Sequence, residues 1–412
     1  MRETADVVVV GAGIVGSAIA YQIARRSSGR VVLLDKGAGP AEGSTGASSS
    51  ICRCRYSNPE VIRLARDGLA AYRNWGEFTG LEHPGNEFTH TGVLWLLNED
   101  RGQLEAERDR LAEAGVSISL LSADQVSERF PSLSTCIELF DLTGEVEHVC
   151  RPIELAVFED DAGFADPSAA NADLVEATRS CGGSVRFRTA VTGIRKEGGR
   201  VVGVELADGS SIDAGLVINA AGPWCNRLNE LAGLDLAWPL QPTRVQVAYR
   251  DWPAGLGSLP IVVEASTGIY FRPDAAGSRI LFGSVLEEDE QELVEDPDNF
   301  KTGADAAFRD LKIHGLHHRI PGLPHRGGVT GIAGLYTINR TDVHPIVGPS
   351  GMDGYWLANG LSGHGFKLAP MIGSMVAQAI TGERVPFDTD VPMSLLAVDR
   401  DPIEVASKSV LA

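Results

Sequence analysis

The sequence has 412 residues, with 36 basic and 55 acidic side chains and a formal net charge of −19 at pH 7. This acidic balance argues against nucleic acid or an anionic membrane surface as partner, and no apolar run approaches the roughly 20 residues that span a bilayer. The length favours two domains over one. The amino terminus shows no secretory signal, and the six scattered cysteines show no metal-ligand spacing. We therefore expect a cytoplasmic protein with reduced thiols and no metal site.

The first 26 residues carry the pattern of a dinucleotide-binding fold. A run of four valines at residues 7–10 predicts a buried parallel strand, and it leads through Gly11, Gly13 and Gly16 into a helical pattern at residues 17–26. In this Gly-x-Gly-x-x-Gly arrangement the first glycine permits a tight turn, the second lets the backbone approach a pyrophosphate, and the third lets helix and strand pack closely. The alternative is a glycine turn that only joins the strand to the helix.

The next segment extends this candidate cofactor site. Residues 30–34 predict a second strand that ends at Asp35, which lies 19 residues after the third glycine, where a ribose-binding carboxylate is expected. A glycine- and serine-rich segment follows at residues 43–50, and Arg53 and Arg55 come after it. Small residues let a ligand approach the backbone and hydroxyls can bind phosphate or ring atoms, so we expect a cofactor contact here rather than a flexible loop.

The rest of the chain alternates predicted helices and strands. Helical patterns cover residues 59–75, 104–115, 126–130 (after a capping box at 122–125), 168–181 and 369–380. Strand patterns cover residues 91–97, 184–189, 190–196, 200–206 and 216–219. Four short strands, at residues 245–249, 261–264, 268–272 and 279–282, predict an antiparallel sheet in a separate domain. The acidic run at residues 287–298 is interpreted as a solvated loop.

Four separated stretches carry further recognisable motifs. They are Gly-Ala-Gly-Ile-Val-Gly at residues 11–16, Asn-Ala-Ala-Gly-Pro-Trp at 219–224, Tyr-Thr at 336–337 with Asp-Val-His-Pro-Ile-Val-Gly-Pro at 342–349, and Gly-Leu-Ser-Gly-His-Gly-Phe-Lys at 360–367. Together they resemble the flavoprotein oxidoreductases of the D-amino-acid oxidase type, in the branch of sarcosine oxidase, dimethylglycine oxidase and glycine oxidase. The last stretch resembles that branch most, because sarcosine oxidases carry nearly this string against the flavin ring.

The resemblance implies an α/β fold with two domains. One is a Rossmann-like FAD-binding domain with a mostly parallel sheet, and the other is a mostly antiparallel α+β substrate domain. We expect the FAD-binding domain to be discontinuous, comprising residues 1–88, 150–235 and 327–398, and the substrate domain to comprise residues 89–149 and 236–326.

The resemblance also implies which residues contact FAD, most of them in the motifs just described and in the serine-rich segment. They are Gly11, Gly13, Ile14, Val15, Gly16, Asp35, Lys36, Ser44, Thr45, Ser48, Ser49, Val191, Ala220, Gly222, Trp224, Gly334, Gly363, His364, Gly365, Phe366 and Lys367.

The implied reaction is oxidation of a C–N bond in a small amino acid or in a secondary or N-methyl amine. A hydride passes from the carbon beside the amine nitrogen to flavin N5, and water hydrolyses the resulting imine, while oxygen or another acceptor reoxidises the flavin. An FAD-dependent 2-hydroxy-acid or polyol dehydrogenase is the alternative, and an FAD-binding subunit without activity is a third hypothesis. The substrate side chain, its stereochemistry, the electron acceptor and the oligomeric state are not predicted.

The chain departs from the family pattern at several positions. Gly334 and Leu335 stand where relatives carry an FAD-linking Cys, and Gly46 stands where others carry an FAD-linking His, so we expect non-covalent FAD. Leu281 replaces an oxygen-activating Lys, which puts rapid reaction with oxygen in doubt. Asp35 replaces the usual Glu, a small change because both carboxylates accept a hydrogen bond from ribose.

Five residues are expected to form the substrate site. The resemblance implies that Lys367 and Arg53 hold a substrate carboxylate, with Arg55 as the alternative to Arg53, because a guanidinium binds a carboxylate with two parallel hydrogen bonds. Tyr270 and Arg272 alternate on a predicted strand and therefore share one face.

The remaining candidates are aromatic. Tyr336 is expected to touch the substrate, and His364 to form a hydrogen bond beside the flavin rather than to act as a base. Three other histidines, His317, His318 and His325, are interpreted as surface residues.

Overall fold

Two eight-stranded sheets and a three-stranded sheet organise the computed structural model, which describes residues 3–97, 99–139, 145–405, 408 and 411. The strands of these residues are β1 (Glu3–Val10), β2 (Val31–Leu34), β3 (Ile51–Cys52), β4 (Thr89–His90), β5 (Val93–Leu96), β6 (Ile118–Ser122), β7 (Leu155–Glu159), β8 (Gly163–Phe164), β9 (Ser184–Arg186), β10 (Val191–Glu197), β11 (Arg200–Leu206), β12 (Ser211–Asn219), β13 (Leu240–Asp251), β14 (Ile261–Glu264), β15 (Ile269–Pro273), β16 (Arg279–Ser284), β17 (Val329–Asn339), β18 (Ile346–Pro349) and β19 (Tyr355–Asn359). The helices are α1 (Ile14–Ala24), α2 (Pro59–Arg73), α3 (Trp75–Thr79), α4 (Arg101–Glu113), α5 (Ala123–Arg129), α6 (Pro167–Ser180), α7 (Cys225–Ala232), α8 (Ala306–Arg319) and α9 (Gly365–Thr381).

The first sheet has the order β10-β11-β12-β1-β2-β9, with β19 beside the end of β12 and β18 beside β19. Its centre is parallel, since β1 pairs with both β2 and β12. Val7 and Val9 of β1 pack in a cluster with α1 and α9, whereas Val8 and Val10 pack on the opposite face of the sheet. Alternate side chains of a strand leave opposite faces, so this is the buried parallel strand that the valine run predicts.

The second sheet has the order β17-β13-β16-β15-β14-β5-β7-β6 and is antiparallel except where β14 lies beside β5. It contains the four short strands predicted between residues 245 and 282. It also contains β7 and β17, which the predicted boundaries assign to the FAD-binding domain. The sheets therefore divide the chain differently from the prediction at these two strands, because pairings such as Arg244 with Leu335 leave no trace in local sequence patterns.

Helix starts follow the capping signals of the sequence. The predicted capping box before α5 is present, since the Ser122 side chain accepts from the Gln125 N–H and the Gln125 side chain accepts from the Ser122 N–H. A second capping box, between Asp100 and Gln103, begins α4 three residues before the predicted start. Such reciprocal bonds satisfy backbone donors that a helix terminus leaves without partners.

Helix α9 begins at Gly365, four residues before its predicted start, and Pro370 lies inside it. Proline lacks an N–H, so the carbonyl four residues earlier loses its usual donor. That carbonyl belongs to Phe366, and it accepts a hydrogen bond of 2.7 Å from the hydroxyl of Tyr72 on α2. A tertiary contact thus gives a hydrogen-bond donor to the Phe366 carbonyl, which the proline would otherwise leave without one.

Helix α8 is absent from the predicted elements, and it corrects the interpretation of His318. His318 on α8 is only 3% exposed and lies 3.6 Å from the buried carboxylate of Glu264, so it is not a surface residue. His325 is exposed as expected, and His317 is partly buried. The acidic run is not wholly solvated either, because Glu290 is 5% exposed.

No helix in the described ranges is both long and apolar enough to cross a bilayer. All six cysteines are free thiols: Cys150 and Cys181 are exposed, and the other four are buried.

Candidate active site

The glycine turn after β1 brings three chain segments into close contact. Gly11 has a φ of 107°, and a Cβ atom there would lie 2.7 Å from the carbonyl carbon of Ala220 at the end of β12. A side chain at Gly16 would collide with the Gly11 carbonyl oxygen. Only glycine tolerates this combination of backbone conformation and crowding, so the turn can follow the strand ends closely.

The turn leads into the start of helix α1 at the predicted cofactor position. Gly13 is the N-cap residue and supplies no side-chain cap, and the Ile14 N–H donates to the hydroxyl of Thr45 at 3.0 Å. The first turn of α1 carries no acidic side chain. A helix N-terminus without its own N-cap side chain, and with its positive dipole end, suits a pyrophosphate. Val15 continues the same buried first turn.

Asp35 follows β2 and lies directly against the glycine turn. Its carboxylate accepts from the N–H of Ala12 at 2.6 Å and from the N–H of Gly37 at 2.7 Å. Lys36 points outward, forms an ion pair with Asp298, and lies 4.0 Å from the ring centre of Trp224. The strand end and the tryptophan therefore lie on the same edge of the first sheet.

The serine-rich segment 43–50 runs between the two sheets. The hydroxyl of Ser44 is buried without a hydrogen-bond partner among the described residues, while the Ser48 hydroxyl accepts from the Ser50 N–H at 2.9 Å. On β17, a Cβ atom at Gly334 would lie 2.6 Å from the Cβ of Ala47. The absence of a side chain at Gly334 lets β17 approach this segment closely.

The segment before α9 places a buried histidine beside these elements. Gly363 has a φ of 81°, and His364 after it is completely buried. Nδ1 of His364 lies 3.0 Å from the Tyr56 hydroxyl. Burial, with the nearby Lys367 cation, holds the pKa of His364 well below its usual value, so the imidazole is neutral at pH 7. Gly365 and Phe366 then begin α9.

Lys367 and Arg53 form a buried basic pair at this place. Lys367 is 6% exposed and its ammonium donates to the Gly363 carbonyl at 3.4 Å. Arg53 is 4% exposed, with its guanidinium 4.7 Å from the ring centre of Tyr56 and 5.3 Å from that of Trp95. Burial, together with repulsion from Arg53, lowers the pKa of Lys367 to about 7. Two buried like charges favour the arrival of an anion.

A buried carboxylate that the sequence analysis missed supports this pair. Glu159 on β7 is 1% exposed, and it accepts from the Cys54 N–H at 2.7 Å and from the Trp95 indole at 2.8 Å. Burial raises the pKa of Glu159 despite these hydrogen bonds. The only signal for Glu159 in the sequence is that a single acidic residue ends the otherwise apolar strand β7. Tyr56 was also missed, although it lies three residues after Arg53.

Arg55 has different surroundings from Arg53. Its guanidinium pairs with Glu107 at 2.9 Å and with Glu99 at 3.5 Å. Of the two alternatives left open by the sequence, the structure brings Arg53 beside Lys367 and pairs Arg55 with two partly buried carboxylates.

Tyr270 and Tyr336 line one pocket between β15, β17 and the serine-rich segment. Ser49, Gln246 and Glu290 line the same pocket. Burial raises the pKa of Tyr270 to about 12 and that of Tyr336 well above its usual value, so both phenols stay protonated at neutral pH.

Arg272 does not line this pocket. It donates to the Ser49 carbonyl at 2.7 Å and to the Pro273 carbonyl at 2.6 Å, and it lies 4.2 Å from the ring centre of Phe164. Burial lowers its pKa to about 10, which leaves it charged at neutral pH. In the structure Arg272 therefore holds the serine-rich segment rather than pointing at the pocket.

The other predicted cofactor contacts lie along the edge of the first sheet. Ala220 directly follows β12, Gly222 and Trp224 belong to the short turn after it, and Val191 begins β10. Within the described ranges, no group of three His, Cys, Asp or Glu side chains is arranged to hold a metal ion.

With this geometry established, comparison with known proteins identifies the family. A family model described as FAD dependent oxidoreductase, of the D-amino-acid oxidase (DAO) type, matches residues 6–379. The chain belongs to this family. The predicted enzyme class and the requirement for FAD are thereby confirmed.

Three similar proteins illustrate the relationship. FAD-dependent oxidoreductase domain-containing protein 1 of Mus musculus is 30% identical over 414 residues, which cover 91% of this chain and 81% of the relative. Peroxisomal sarcosine oxidase of Homo sapiens is 27% identical over 398 residues, which cover 91% and 92%. The crystal structure of L-proline dehydrogenase from P. horikoshii has a TM-score of 0.79 at 24% identity, covering 97% and 98%. This last likeness confirms the predicted fold class.

Two features of this FAD-dependent oxidoreductase fit its cofactor. The glycine turn and the start of α1, where Gly13 supplies no side chain, form a cradle that added side chains would fill. Buried polar atoms without partners among the described residues lie on the serine-rich segment and on the motif segments 336–349 and 360–367: the Ser44 hydroxyl, the Thr337 hydroxyl, and Nε2 of His344 and His364. Buried polar groups are normally satisfied, so these atoms point to a polar ligand at this place.

Proposed function

We propose that this flavoenzyme oxidises the C–N bond of a small amino acid, or of a secondary or N-methyl amine that carries a carboxylate. The observation that carries the proposal is the buried basic pair of Arg53 and Lys367 beside the neutral His364. FAD, when bound, supplies the hydride acceptor for such a reaction. The name of the human relative, sarcosine oxidase, is consistent with a carboxylate-bearing secondary amine.

The proposed roles follow from the chemistry of each side chain. Arg53 binds the substrate carboxylate with its planar guanidinium, and Lys367 adds a single positive charge. Tyr270 and Tyr336 line the pocket beside Ser49 and stay neutral, and they are proposed to exclude water from the substrate. A neutral amine needs no strong base before it gives up a hydride, so His364 is proposed to orient the flavin by a hydrogen bond.

The residues proposed to hold FAD are those of the cradle and the adjoining segments. The glycine turn and α1 take the pyrophosphate, Asp35 takes the ribose, and the serine-rich segment with the start of α9 faces the ring system. Gly334 stands close to Ala47 and carries no thiol, which supports dissociable FAD. After precipitation with acid, we expect the yellow colour in the supernatant, and flavin retained by the polypeptide would contradict this.

The decisive experiment is anaerobic mixing of the purified flavoprotein with candidate substrates. The panel contains N-methylglycines, proline-like imino acids, D-amino acids and 2-hydroxy acids, and the visible flavin band is recorded. We expect bleaching by one class of amine that bears a carboxylate. Bleaching by 2-hydroxy acids alone would replace the proposal with hydroxy-acid oxidation. If a neutral amine bleaches the flavin as fast as its carboxylate counterpart, the assigned role of Arg53 and Lys367 is wrong.

A cytoplasmic location remains part of the proposal. The free thiols of all six cysteines support a reducing compartment. Fractionation of the source cells with an antibody against the chain would test it, and recovery in an organelle fraction would contradict it.

A further inference from the structure

Two buried histidines lie side by side on the motif segments 342–349 and 360–367. His344 is 1% exposed and His364 is completely buried, and their rings stack with centres 5.8 Å apart at an angle of 27°. Nε2 of each ring is buried and has no hydrogen-bond partner among the described residues. Buried polar atoms are nearly always paired, so two adjacent unpaired atoms indicate that one polar ligand binds to both.

The position of the hydrogen on His344 is set by a backbone carbonyl. Nδ1 of His344 lies 2.7 Å from the carbonyl oxygen of Asp342, which can only accept, so Nδ1 carries a hydrogen. Burial lowers the pKa of His344, so the ring is neutral at pH 7 and has no second hydrogen. Nε2 of His344 is therefore a hydrogen-bond acceptor.

The position of the hydrogen on His364 is set by Tyr56. Nδ1 of His364 lies 3.0 Å from the buried Tyr56 hydroxyl, whose only hydrogen bond among the described residues is this one. If the hydroxyl donates, its hydrogen has an acceptor, whereas the reverse direction would leave a buried O–H unpaired. Burial keeps the pKa of His364 well below its usual value despite the nearby Val343 carbonyl, so the neutral ring carries its one hydrogen on Nε2. Nε2 of His364 is therefore a hydrogen-bond donor.

The backbone holds both rings in strained turns. Val343, directly before His344, has a φ of 54°, and Ser362, two residues before His364, has a φ of 45°. A β-branched residue such as valine rarely adopts this conformation. The Asn339 side chain holds the first turn, since it donates to the His344 carbonyl at 2.9 Å. Residues strained in this way are concentrated at functional sites, where the surrounding contacts offset the strain.

We propose that His344 and His364 form a donor–acceptor pair that binds the pyrimidine edge of the flavin, with Tyr56 as a positioning residue. Nε2–H of His364 donates to a flavin carbonyl oxygen, and Nε2 of His344 accepts from the adjacent flavin N3–H. This edge carries an N–H between two carbonyl oxygens, so a donor beside an acceptor matches it. The inference rests on the proposed position of the ring system beside the start of α9.

The opposite hydrogen positions on the two rings favour the flavin over the substrate as the ligand. A substrate carboxylate only accepts hydrogen bonds at neutral pH, so it would leave Nε2 of His344 unpaired. The flavin edge supplies both an N–H and a carbonyl oxygen, and it satisfies both histidines at once. The role of Tyr56 is indirect, because its hydroxyl determines which nitrogen of His364 carries the hydrogen.

The main test uses the unaltered FAD-loaded protein, labelled throughout with the heavy nitrogen isotope and studied by NMR without substrate. The cofactor acquires the label during growth, so the flavin and histidine nitrogens are observed together. We expect a hydrogen on Nε2 of His364, a hydrogen on Nδ1 of His344, and a scalar coupling between flavin N3 and Nε2 of His344 across their hydrogen bond. The same tautomer at both histidines, a cationic ring at either, or a flavin N3 that shows no coupling to His344 would overturn the proposal.

His344→Ala removes the proposed acceptor. The flavin N3–H should then exchange with solvent at least about fivefold faster, which corresponds to the loss of one hydrogen bond. His83→Ala is the control, because the His83 side chain is 90% exposed, and its exchange rate should stay within about twofold of the unaltered protein. An unchanged exchange rate in His344→Ala would contradict the acceptor role of His344.

Tyr56→Phe tests the positioning role, because it keeps the ring beside Arg53 and removes only the hydroxyl. The Nδ1 resonance of His364 should move to the position of an imidazole nitrogen without a hydrogen bond, and FAD should dissociate at least about threefold faster. Tyr21→Phe is the matched control, since it removes a buried hydroxyl that donates to the Phe78 carbonyl at 2.6 Å, and it should change neither quantity. An unmoved Nδ1 resonance in Tyr56→Phe would show that Tyr56 does not donate to His364.

The result of the main test does not depend on any variant, so a variant that fails to fold leaves it decisive. None of the three measurements uses a substrate. A failure of the proposed amine oxidation would therefore be seen only in the bleaching experiment, and a failure of the histidine pair only in the NMR spectra and the exchange rates.

Discussion

At the scale of single residues, Arg53 and Arg55 show how two neighbouring arginines differ in chemistry. Arg53 lies buried between two aromatic rings beside Lys367, whereas Arg55 pairs with Glu99 and Glu107. For Arg53→Ala we predict a rise of about 10- to 100-fold in the KM for a carboxylate substrate, the cost of losing a charge-assisted hydrogen bond. Steady-state kinetics with the substrate found by flavin bleaching measures it.

The matched control for this prediction is Arg55→Ala. It removes the same side chain two residues away, and we expect its KM to stay within about twofold of the unaltered enzyme. The reason is that the Arg55 guanidinium pairs with Glu99 and Glu107 instead of lying beside Lys367. For a neutral amine analogue, Arg53→Ala should raise the KM far less than it does for the carboxylate substrate. A carboxylate-binding role of Arg53 would be contradicted if Arg53→Ala raised the KM equally for both compounds, or if Arg55→Ala raised it as much as Arg53→Ala.

Lys367 predicts a pH dependence of anion binding. Burial lowers its pKa to about 7, so in the free enzyme the amine is charged below pH 7 and neutral above it. A bound carboxylate favours the charged form, and binding above pH 7 must therefore take up a proton. The Kd of a simple carboxylate such as acetate, followed by the shift of the flavin spectrum, should be constant below pH 7 and rise about tenfold per pH unit above it.

Lys367→Arg serves as the control for this titration. Arginine keeps its charge throughout this range, so the variant should bind acetate with a Kd that changes less than about twofold between pH 7 and 9. The acetate probe has no amine, which removes the titration of the substrate from the result. A Kd of the unaltered protein that is flat up to pH 9 would show that Lys367 does not bind the anion in its protonated form.

At the scale of elements, the glycine turn after β1 joins cofactor binding to stability. Gly11→Ala should lower the free energy of unfolding by more than about 2 kcal/mol and release most of the FAD, because a methyl group meets Ala220 at a positive φ. Gly80→Ala is the control: its φ is 69°, but nothing lies within 4 Å of the added carbon. It should cost about 1–2 kcal/mol and keep the flavin. Denaturant unfolding and the ratio of visible to ultraviolet absorbance measure both effects, and full flavin content in Gly11→Ala would contradict the cradle.

Other elements depend on contacts that local sequence does not show. Pro370 would mark a helix start by its local preference, yet α9 begins before it because the Tyr72 hydroxyl satisfies the Phe366 carbonyl. Helix α8 shows weak amphipathic patterning, because buried polar residues such as Lys312 and His318 occupy its inner face. Capping boxes, in contrast, are visible in the local sequence. Ser122 and Gln125, which form the capping box of α5, lie within four positions, so the sequence alone predicts the start of this helix.

At the scale of the whole molecule, Leu281 bears on the electron acceptor. It is 3% exposed on β16 of the substrate sheet, directly opposite Tyr249 and Arg272. A cation near a reduced flavin stabilises the anion that forms when oxygen takes an electron, and leucine provides none. We therefore predict that an artificial dye reoxidises the enzyme at least about tenfold faster than oxygen does.

Two variants test whether this position decides the acceptor. Leu281→Lys should raise the rate of reoxidation by oxygen, while Leu281→Met, which conserves volume, should leave it unchanged and shows that the site tolerates substitution. The rates are read from stopped-flow recovery of the flavin band after anaerobic reduction with dithionite. Oxygen that reoxidises the unaltered protein as fast as the dye would show that another group already supplies the charge.

The sequence by itself determined the dinucleotide turn, the buried strand before it and the family, and it predicted the basic residues proposed for the site. Each of these depends on residues close together in the chain, such as the glycines at 11, 13 and 16 or the string at 360–367, so spacing alone carries the information. Only the tertiary structure decided which arginine joins Lys367, that Arg272 holds a loop instead of lining the pocket, and that Glu159 lies beneath the site. These depend on burial and on partners about 50 to 310 residues away, and neither is visible until the two sheets have packed together.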